Sequence, residues 1–147
     1  MNFKRVWAMP SKDTFDVKPI AELINRYLQV SQVSVDPFAR NKRWATHTND
    51  INPNTEAEYH LDAVEYLNLL VEKNIQTDTL ILDMPYSPRQ ISECYAEAGN
   101  KATMRHTQNA RLYSEVRNAA MNILTENAVV ISCGWNSAGM GIGRGFE

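Results

Sequence analysis

Acidic side chains stand at or just beyond the carboxyl ends of three predicted strands of this chain. These residues are Asp36, Asp50 and Asp83, and a fourth acid, Asp62, opens a predicted helix. In sheets with mostly parallel strands, ligands bind in the crevice outside the carboxyl ends of the strands. Carboxylates gathered on one such rim predict a ligand rich in hydroxyl or amino donors, or a metal ion.

The elements that must position these acids alternate between helix-like and strand-like segments. Apolar residues recur at helical spacing in residues 16–29, 62–73, 88–98 and 107–124. β-Branched or continuously apolar runs predict strands at residues 33–35, 44–49, 79–82 and 128–132, with a short strand near 57–60. The alternation predicts an α/β fold with a mostly parallel sheet of about five strands flanked by helices.

Composition places the chain among ordinary globular proteins. Of its 147 residues, 44% are hydrophobic and 22% are charged, which predicts a single domain over residues 1–147. No apolar run approaches the roughly 20 residues of a membrane helix, and the amino-terminal segment has no signal-peptide core. The two cysteines, Cys94 and Cys133, fit a reducing compartment, so we expect a cytoplasmic protein without membrane contact. Neither the cysteines nor the histidines have the spacing of a zinc site.

Charge is distributed unevenly along the chain. Residues 44–83 contain eight acids and one base, a net charge of −7, whereas residues 88–117 contain five bases and three acids, a net charge of +2. The acidic block would repel a phosphate backbone, and the basic segment could lie beside one. Solvated helix faces would give the same pattern, so charge alone leaves both interpretations open.

The segment with the most specific pattern is Asp83-Met84-Pro85-Tyr86, which follows a predicted buried strand. It resembles the Asp-Pro-Pro-Tyr signature of the amino-methylating DNA methyltransferases. The chain as a whole is more closely similar to the small phage and prophage family of adenine-specific DNA methyltransferases. The stretches that carry this resemblance are residues 14–28, 35–41, 48–67, 80–95 and 129–147. They follow one another in the family's order and cover most of the chain.

The resemblance implies a Rossmann-like class I methyltransferase fold that binds S-adenosylmethionine and methylates the N6 amine of a flipped adenine in DNA. The Asp83 carboxylate and the Met84 carbonyl would accept hydrogen bonds from the two amine hydrogens, with Pro85 in the same motif. Tyr86 would stack against the flipped base. Methyl transfer would be direct and in line, without a covalent protein nucleophile.

The resemblance also implies the residues of the cofactor site. Asp36 and Phe38 match the acid and the aromatic residue of the family's first motif, although the glycines of that motif are absent. Asp50 matches the acid expected at the ribose or adjacent cofactor groups. Asp62 matches the acid that receives the adenine amino group, and Phe15 lies in the segment that flanks the methionine moiety.

Basic residues are the expected contacts to the nucleic acid. Because the chain is mildly acidic overall, with a formal charge of −2, we expect DNA binding to be weak and salt-sensitive. The residues predicted to contact DNA are Arg89, Lys101 and Arg105, with Arg40 and Arg43 as further candidates. A phage origin would place the protein in the cytoplasm of a bacterial host.

Two departures from the family pattern bear on activity. Met84 stands where the family has proline, so the carbonyl acceptor remains but the fixed φ of proline is lost, which predicts slower chemistry or a changed substrate. The sequence also stops before the carboxyl-terminal edge strands of the family, which would leave the last strand exposed, or covered by a second copy or a partner chain. Two alternatives remain open. One is a catalytically impaired methyltransferase-fold protein that binds DNA or a protein partner, and the other is a methyltransferase acting on RNA or on a protein amide.

Overall fold

A parallel sheet organises the fold. The computed structural model describes residues 6–9, 13–85, 88–99, 109–134 and 139–146. Its strands are β1 (Ser34–Asp36), β2 (His47–Thr48), β3 (Thr77–Leu82) and β4 (Leu124–Ser132). They pair in the order β2-β1-β3-β4, and every pair is parallel. This is an open α/β sheet, compatible with a Rossmann-like architecture.

Helices cover both faces of the sheet. They are α1 (Lys18–Leu28), α2 (Ala63–Glu72), α3 (Pro88–Glu97) and α4 (Asn109–Met121), with one-turn 3₁₀ helices at Thr14–Asp16 and Ile142–Arg144. Successive side chains of a strand point to opposite faces, so β3 contributes to two separate cores. Ile81 belongs to a cluster with Ile24 of α1, whereas Leu80 and Leu82 belong to a larger cluster with α2, α3 and α4.

Local sequence signals set the boundaries of α2. The side chain of Asp62 accepts a hydrogen bond from the backbone N–H of Val64 and so caps the helix at its first turn. At the other end, Asn74 adopts a left-handed conformation (φ 55°), and the N–H of Ile75 donates to the carbonyl of Leu70 at 2.9 Å. This is the Schellman arrangement, which satisfies the last carbonyls of the helix.

The α/β class and the parallel sheet are confirmed, but the predicted number of about five strands is wrong for the described residues. Four strands are present, and the segment 57–60 contributes only one parallel bridge, between Asn49 and Tyr59. The reason is local turn formation, because Asp50 and Asn52 each accept a hydrogen bond from the N–H two residues further on. Those turns leave too few extended residues for a strand.

Smaller differences concern element ends and helix faces. The last strand begins at Leu124, four residues before its predicted start, because α4 ends at Met121. Leu23 of α1 and Val71 of α2 belong to the apolar residues at helical spacing, yet they are 41% and 40% exposed. Both lie at the margin of an apolar stripe whose centre, Ile24 or Leu70, is fully buried.

No helix among the described residues is long and apolar enough to cross a membrane.

Candidate functional site

A cavity lies in the crevice at the carboxyl ends of β1 and β3. These two strands are neighbours, but the chain leaves them in opposite directions, toward β2 on one side and toward β4 on the other. Open α/β sheets bind ligands at this point, where the strand order reverses. The cavity has a volume of about 570 Å³, which is in the range of small-molecule and cofactor sites.

Asp83 lies on the cavity wall, directly after β3. One of its carboxylate oxygens accepts a hydrogen bond from the hydroxyl of Thr14 at 3.1 Å. Burial raises the pKa of Asp83, while the bond from Thr14 and the nearby guanidinium of Arg40 act in the opposite direction. The other carboxylate oxygen accepts no hydrogen bond from the described residues, so it is available to a ligand donor.

The two residues after Asp83 also line the cavity, but they are anchored from behind. Met84 is only 2% exposed and belongs to the larger core cluster. The carbonyl of Pro85 accepts a hydrogen bond from the hydroxyl of Tyr113 at 3.0 Å. Tyr86, the last residue of the predicted motif, lies outside the described residues.

Asp50 forms the part of the wall that follows β2. Its two carboxylate oxygens accept the backbone N–H groups of Arg40 at 3.0 Å and Asn52 at 2.9 Å. Burial raises the pKa of Asp50, and the two backbone hydrogen bonds oppose the rise. Arg40 is held in the left-handed region (φ 50°), a strained conformation that is typical of functional loops.

Asp62 contributes to the same wall from the start of α2. Besides capping the helix, its carboxylate accepts a hydrogen bond from the hydroxyl of Tyr95 on α3. A second link to α3 is the hydrogen bond from the side-chain amide of Asn52 to Glu97, at 3.3 Å. Because of these two contacts, α3 closes one side of the cavity.

Asp36 lies beneath the cavity and does not line it. The residue is 1% exposed, and its carboxylate accepts the N–H of Phe38 at 3.0 Å. Burial raises the pKa of Asp36 well above its usual range, and the neighbouring carboxyl groups of Asp83 and Asp50 add to the rise. Of the two residues predicted from the first motif, Phe38 is therefore the one that a ligand would contact.

Phe15 is also placed away from the cavity. It is 4% exposed, stacks on Trp44 with ring centroids 5.3 Å apart, and belongs to the core cluster between α1 and the sheet. Its neighbours Asp13 and Thr14 line the cavity instead. Thr14 and Tyr95 are site residues that sequence reasoning missed, because no local pattern shows that a distant hydroxyl bonds a site carboxylate.

The predicted nucleic-acid contacts are only partly described. Arg89 is exposed and forms an ion pair with Glu93 at 2.8 Å, one turn along α3. Arg40 lines the cavity, and Arg43 is exposed. Lys101 and Arg105 lie outside the described residues, so the structure places neither of them.

The described wall of the cavity is strongly acidic. Its charged residues are six acids and one base: Asp13, Asp50, Asp62, Asp83, Glu93, Glu97 and Arg40. The connection from β1 to β2, residues 37–46, contains neither a glycine nor a helix. It therefore offers no helix N-terminus to a pyrophosphate group. Within the described parts of the chain, no group of three or more His, Cys, Asp or Glu side chains is arranged to hold a metal ion.

Comparison with protein-family models gave no match, and comparison with curated proteins gave none either.

Proposed function

We infer that the chain is an S-adenosylmethionine-dependent methyltransferase that acts on an exocyclic amine, with the N6 of adenine in DNA as its acceptor. The observation that carries this proposal is the acid-lined cavity at the point where the strand order reverses, with Asp50 after β2 and Asp83 after β3. The choice of adenine as the acceptor rests on the resemblance of residues 83–86 to the Asp-Pro-Pro-Tyr signature. Charge and backbone geometry of the cavity support the choice of cofactor.

The cavity suits an adenosyl sulfonium better than a dinucleotide. Both ligands carry ribose hydroxyls, and an acid after the second strand is suited to accept hydrogen bonds from them. A dinucleotide also carries a pyrophosphate, which a wall of six acids and one base would repel. S-Adenosylmethionine has no phosphate and carries a positive sulfonium and an ammonium group, which such a wall attracts. Asp50, Asp62 and Phe38 are the residues that would hold it.

The remaining hydrogen-bond acceptors on the cavity wall orient the amine that receives the methyl group. When bound, the cofactor supplies a methyl group on sulfur, so that a C–S bond breaks as an N–C bond forms. The free oxygen of Asp83 and the carbonyl of Met84 accept the two amine hydrogens, which directs the nitrogen lone pair away from the ring. The product nitrogen must then lose one proton. We assign that proton to Asp83, because a raised pKa favours its acceptance.

A protein amide is the second candidate acceptor, and the charge of the wall favours it. Glu93 and Glu97 on α3 add negative charge to the cavity, where the phosphates beside a flipped base would be repelled. A side-chain amide presents the same two N–H donors to Asp83 without an adjacent phosphate. Methyl-transfer assays should therefore offer both DNA and protein side-chain amides as acceptors.

Calorimetric titration of the purified protein with S-adenosylmethionine tests the cofactor site. We expect saturable micromolar binding that weakens at least about tenfold in Asp50→Ala, which removes an acceptor and two loop-holding hydrogen bonds. Asp78→Ala is the matched control, because Asp78 bonds Ser31 and Gln32 and does not line the cavity. Absence of binding by the folded wild-type protein would overturn the proposal.

Transfer of a labelled methyl group then tests the reaction. Unmethylated duplex DNA and a mixture of amide-bearing proteins are offered separately with the labelled cofactor. Label on DNA that is lost in Asp83→Ala supports the adenine acceptor, and label on protein alone supports the second candidate. Cofactor binding without transfer to either acceptor would favour the alternative of a catalytically impaired protein that binds DNA or a protein partner.

A further inference from the structure

The segment that follows β3 is tied to a helix that is distant in sequence. The hydroxyl of Tyr113 on α4 donates to the carbonyl of Pro85 at 3.0 Å. Tyr113 itself is held firmly, because its helix neighbours Leu112 and Val116 are 6% and 0% exposed in the larger core. Its ring also lies under the guanidinium of Arg117, 5.5 Å from ring centroid to charge centre.

The carbonyl of Met84 needs such a restraint. Met84 lines the cavity, and its carbonyl accepts no hydrogen bond from any described residue, so it remains available to a ligand. A proline at this position would fix φ by its ring, whereas methionine before Pro85 is confined only to the broader extended region. The side chain of Met84, buried in the core, and the carbonyl of Pro85 are therefore the two points that fix this peptide.

We propose that Tyr113 is a positioning residue, which holds the Asp83–Pro85 segment so that the Met84 carbonyl is aimed at the acceptor amine. The inference rests on the proposed function for its chemistry, but the tether itself is independent of any activity. Tyr113 does not line the cavity, and its hydroxyl reaches the segment through the carbonyl of Pro85. Its loss should therefore impair the chemical step and leave cofactor affinity intact.

Tyr113→Phe tests the tether, because it removes the hydroxyl and keeps the ring beneath Arg117. We expect kcat to fall about tenfold to a hundredfold, since small misplacements at a reacting centre have effects of this size. The dissociation constant of S-adenosylmethionine should stay within about twofold of wild type. Tyr27→Phe is the matched control, because Tyr27 is a half-buried tyrosine of α1, away from the cavity.

A second substitution separates positioning from general stabilisation. If Tyr113 replaces the restraint of a proline ring, Tyr113→Phe should reduce kcat much less in a Met84→Pro background than in the wild type. Equal losses in both backgrounds would overturn the proposal. The thermal midpoints of all variants show whether a loss reflects unfolding instead.

Hydrogen exchange tests the tether without any activity. We expect the backbone amides of Asp83 and Met84 to exchange at least about tenfold faster in Tyr113→Phe, and those of β1 to be unchanged. Unchanged exchange at Asp83 and Met84 would overturn the proposal, as would faster exchange with an unaltered kcat. If the wild type neither binds cofactor nor transfers methyl groups, the proposed function fails, and exchange still decides whether Tyr113 holds this segment.

Discussion

Three neighbouring carboxyl groups lie at or just beyond strand ends, Asp36 beneath the cavity and Asp50 and Asp83 on its wall, and burial raises the pKa of each. Asp36 is the most deeply placed, at 1% exposure, and it lies next to the other two. Its carboxyl therefore holds a proton in the folded protein at pH values where the unfolded chain has released it. Over that window, folding stability falls as the pH rises.

Asp36→Asn should remove most of this pH dependence. The amide oxygen can still accept the N–H of Phe38, and the neutral side chain no longer loses a proton on unfolding. We expect the thermal midpoint of wild type to fall as the pH rises from about 4, and that of Asp36→Asn to fall less and to be higher at neutral pH. Thermal unfolding followed by circular dichroism between acidic and neutral pH measures both.

Asp78→Asn serves as the control, because the contribution of Asp78 to stability depends on pH in the opposite direction. Although burial acts to raise it, the hydrogen bonds from Ser31 and the backbone of Gln32 lower the pKa of Asp78. Its contribution to stability is present above its unfolded pKa and is lost as the pH falls through the folded pKa. Asp78→Asn should therefore lower the thermal midpoint at neutral pH. A similar pH profile for both variants would contradict the assignment of Asp36.

At the scale of elements, α2 connects helix stability with the cavity through Asp62. Asp62→Ala removes the cap on the N–H of Val64 and should lower the free energy of unfolding by about 1 kcal/mol. Asn caps helices about as well as Asp does, so Asp62→Asn should keep most of that stability. Urea unfolding of both variants is the measurement, and equal losses would show that the cap contributes little.

Element type was predictable from the sequence because each segment carries its own signal. The helical spacing of α1 and the cap and left-handed Asn74 of α2 are local features. Strand lengths were less predictable, since β2 has only two residues although residues 44–49 have strand-like composition. Pairing with β1 stops after Asp36, where the chain turns, so the partner strand decides the length.

The site was predictable at the level of which strand ends it occupies, and not at the level of individual contacts. Asp50, Asp62 and Asp83 line the cavity, as their positions after strands or before a helix indicated. Asp36 also stands at a strand end, and Phe15 was predicted from the family resemblance, but both face the interior. Whether an acid at a strand end faces the crevice depends on side-chain packing from elements elsewhere in the chain, which no local pattern encodes.

At the scale of the whole molecule, the negative charge of the cavity repels the phosphates of a nucleic acid, so DNA binding depends on basic residues. If DNA is the substrate, Arg89→Glu combined with Arg105→Glu should weaken binding at low salt by about tenfold or more. It should also reduce the slope of log affinity against log salt by about 2. Fluorescence anisotropy with labelled duplex DNA measures both quantities.

Arg26→Glu is the control for this double variant, since Arg26 is exposed on α1, which packs on the other face of the sheet from α3. It changes net charge without touching the predicted contacts. Equal losses per reversed charge in the two proteins would indicate general electrostatics and would contradict a DNA surface near α3.

β1 has only three residues, and its pairing has a consequence for the nascent chain. Val35 pairs with Leu80 of β3, and β3 in turn pairs with β4, so both partnerships join segments that the ribosome delivers far apart in time. Parallel pairing of this kind must close long loops before it gains any contact energy. The crevice therefore forms only after β3 has been synthesised, and a ligand can act on folding only from that stage onward.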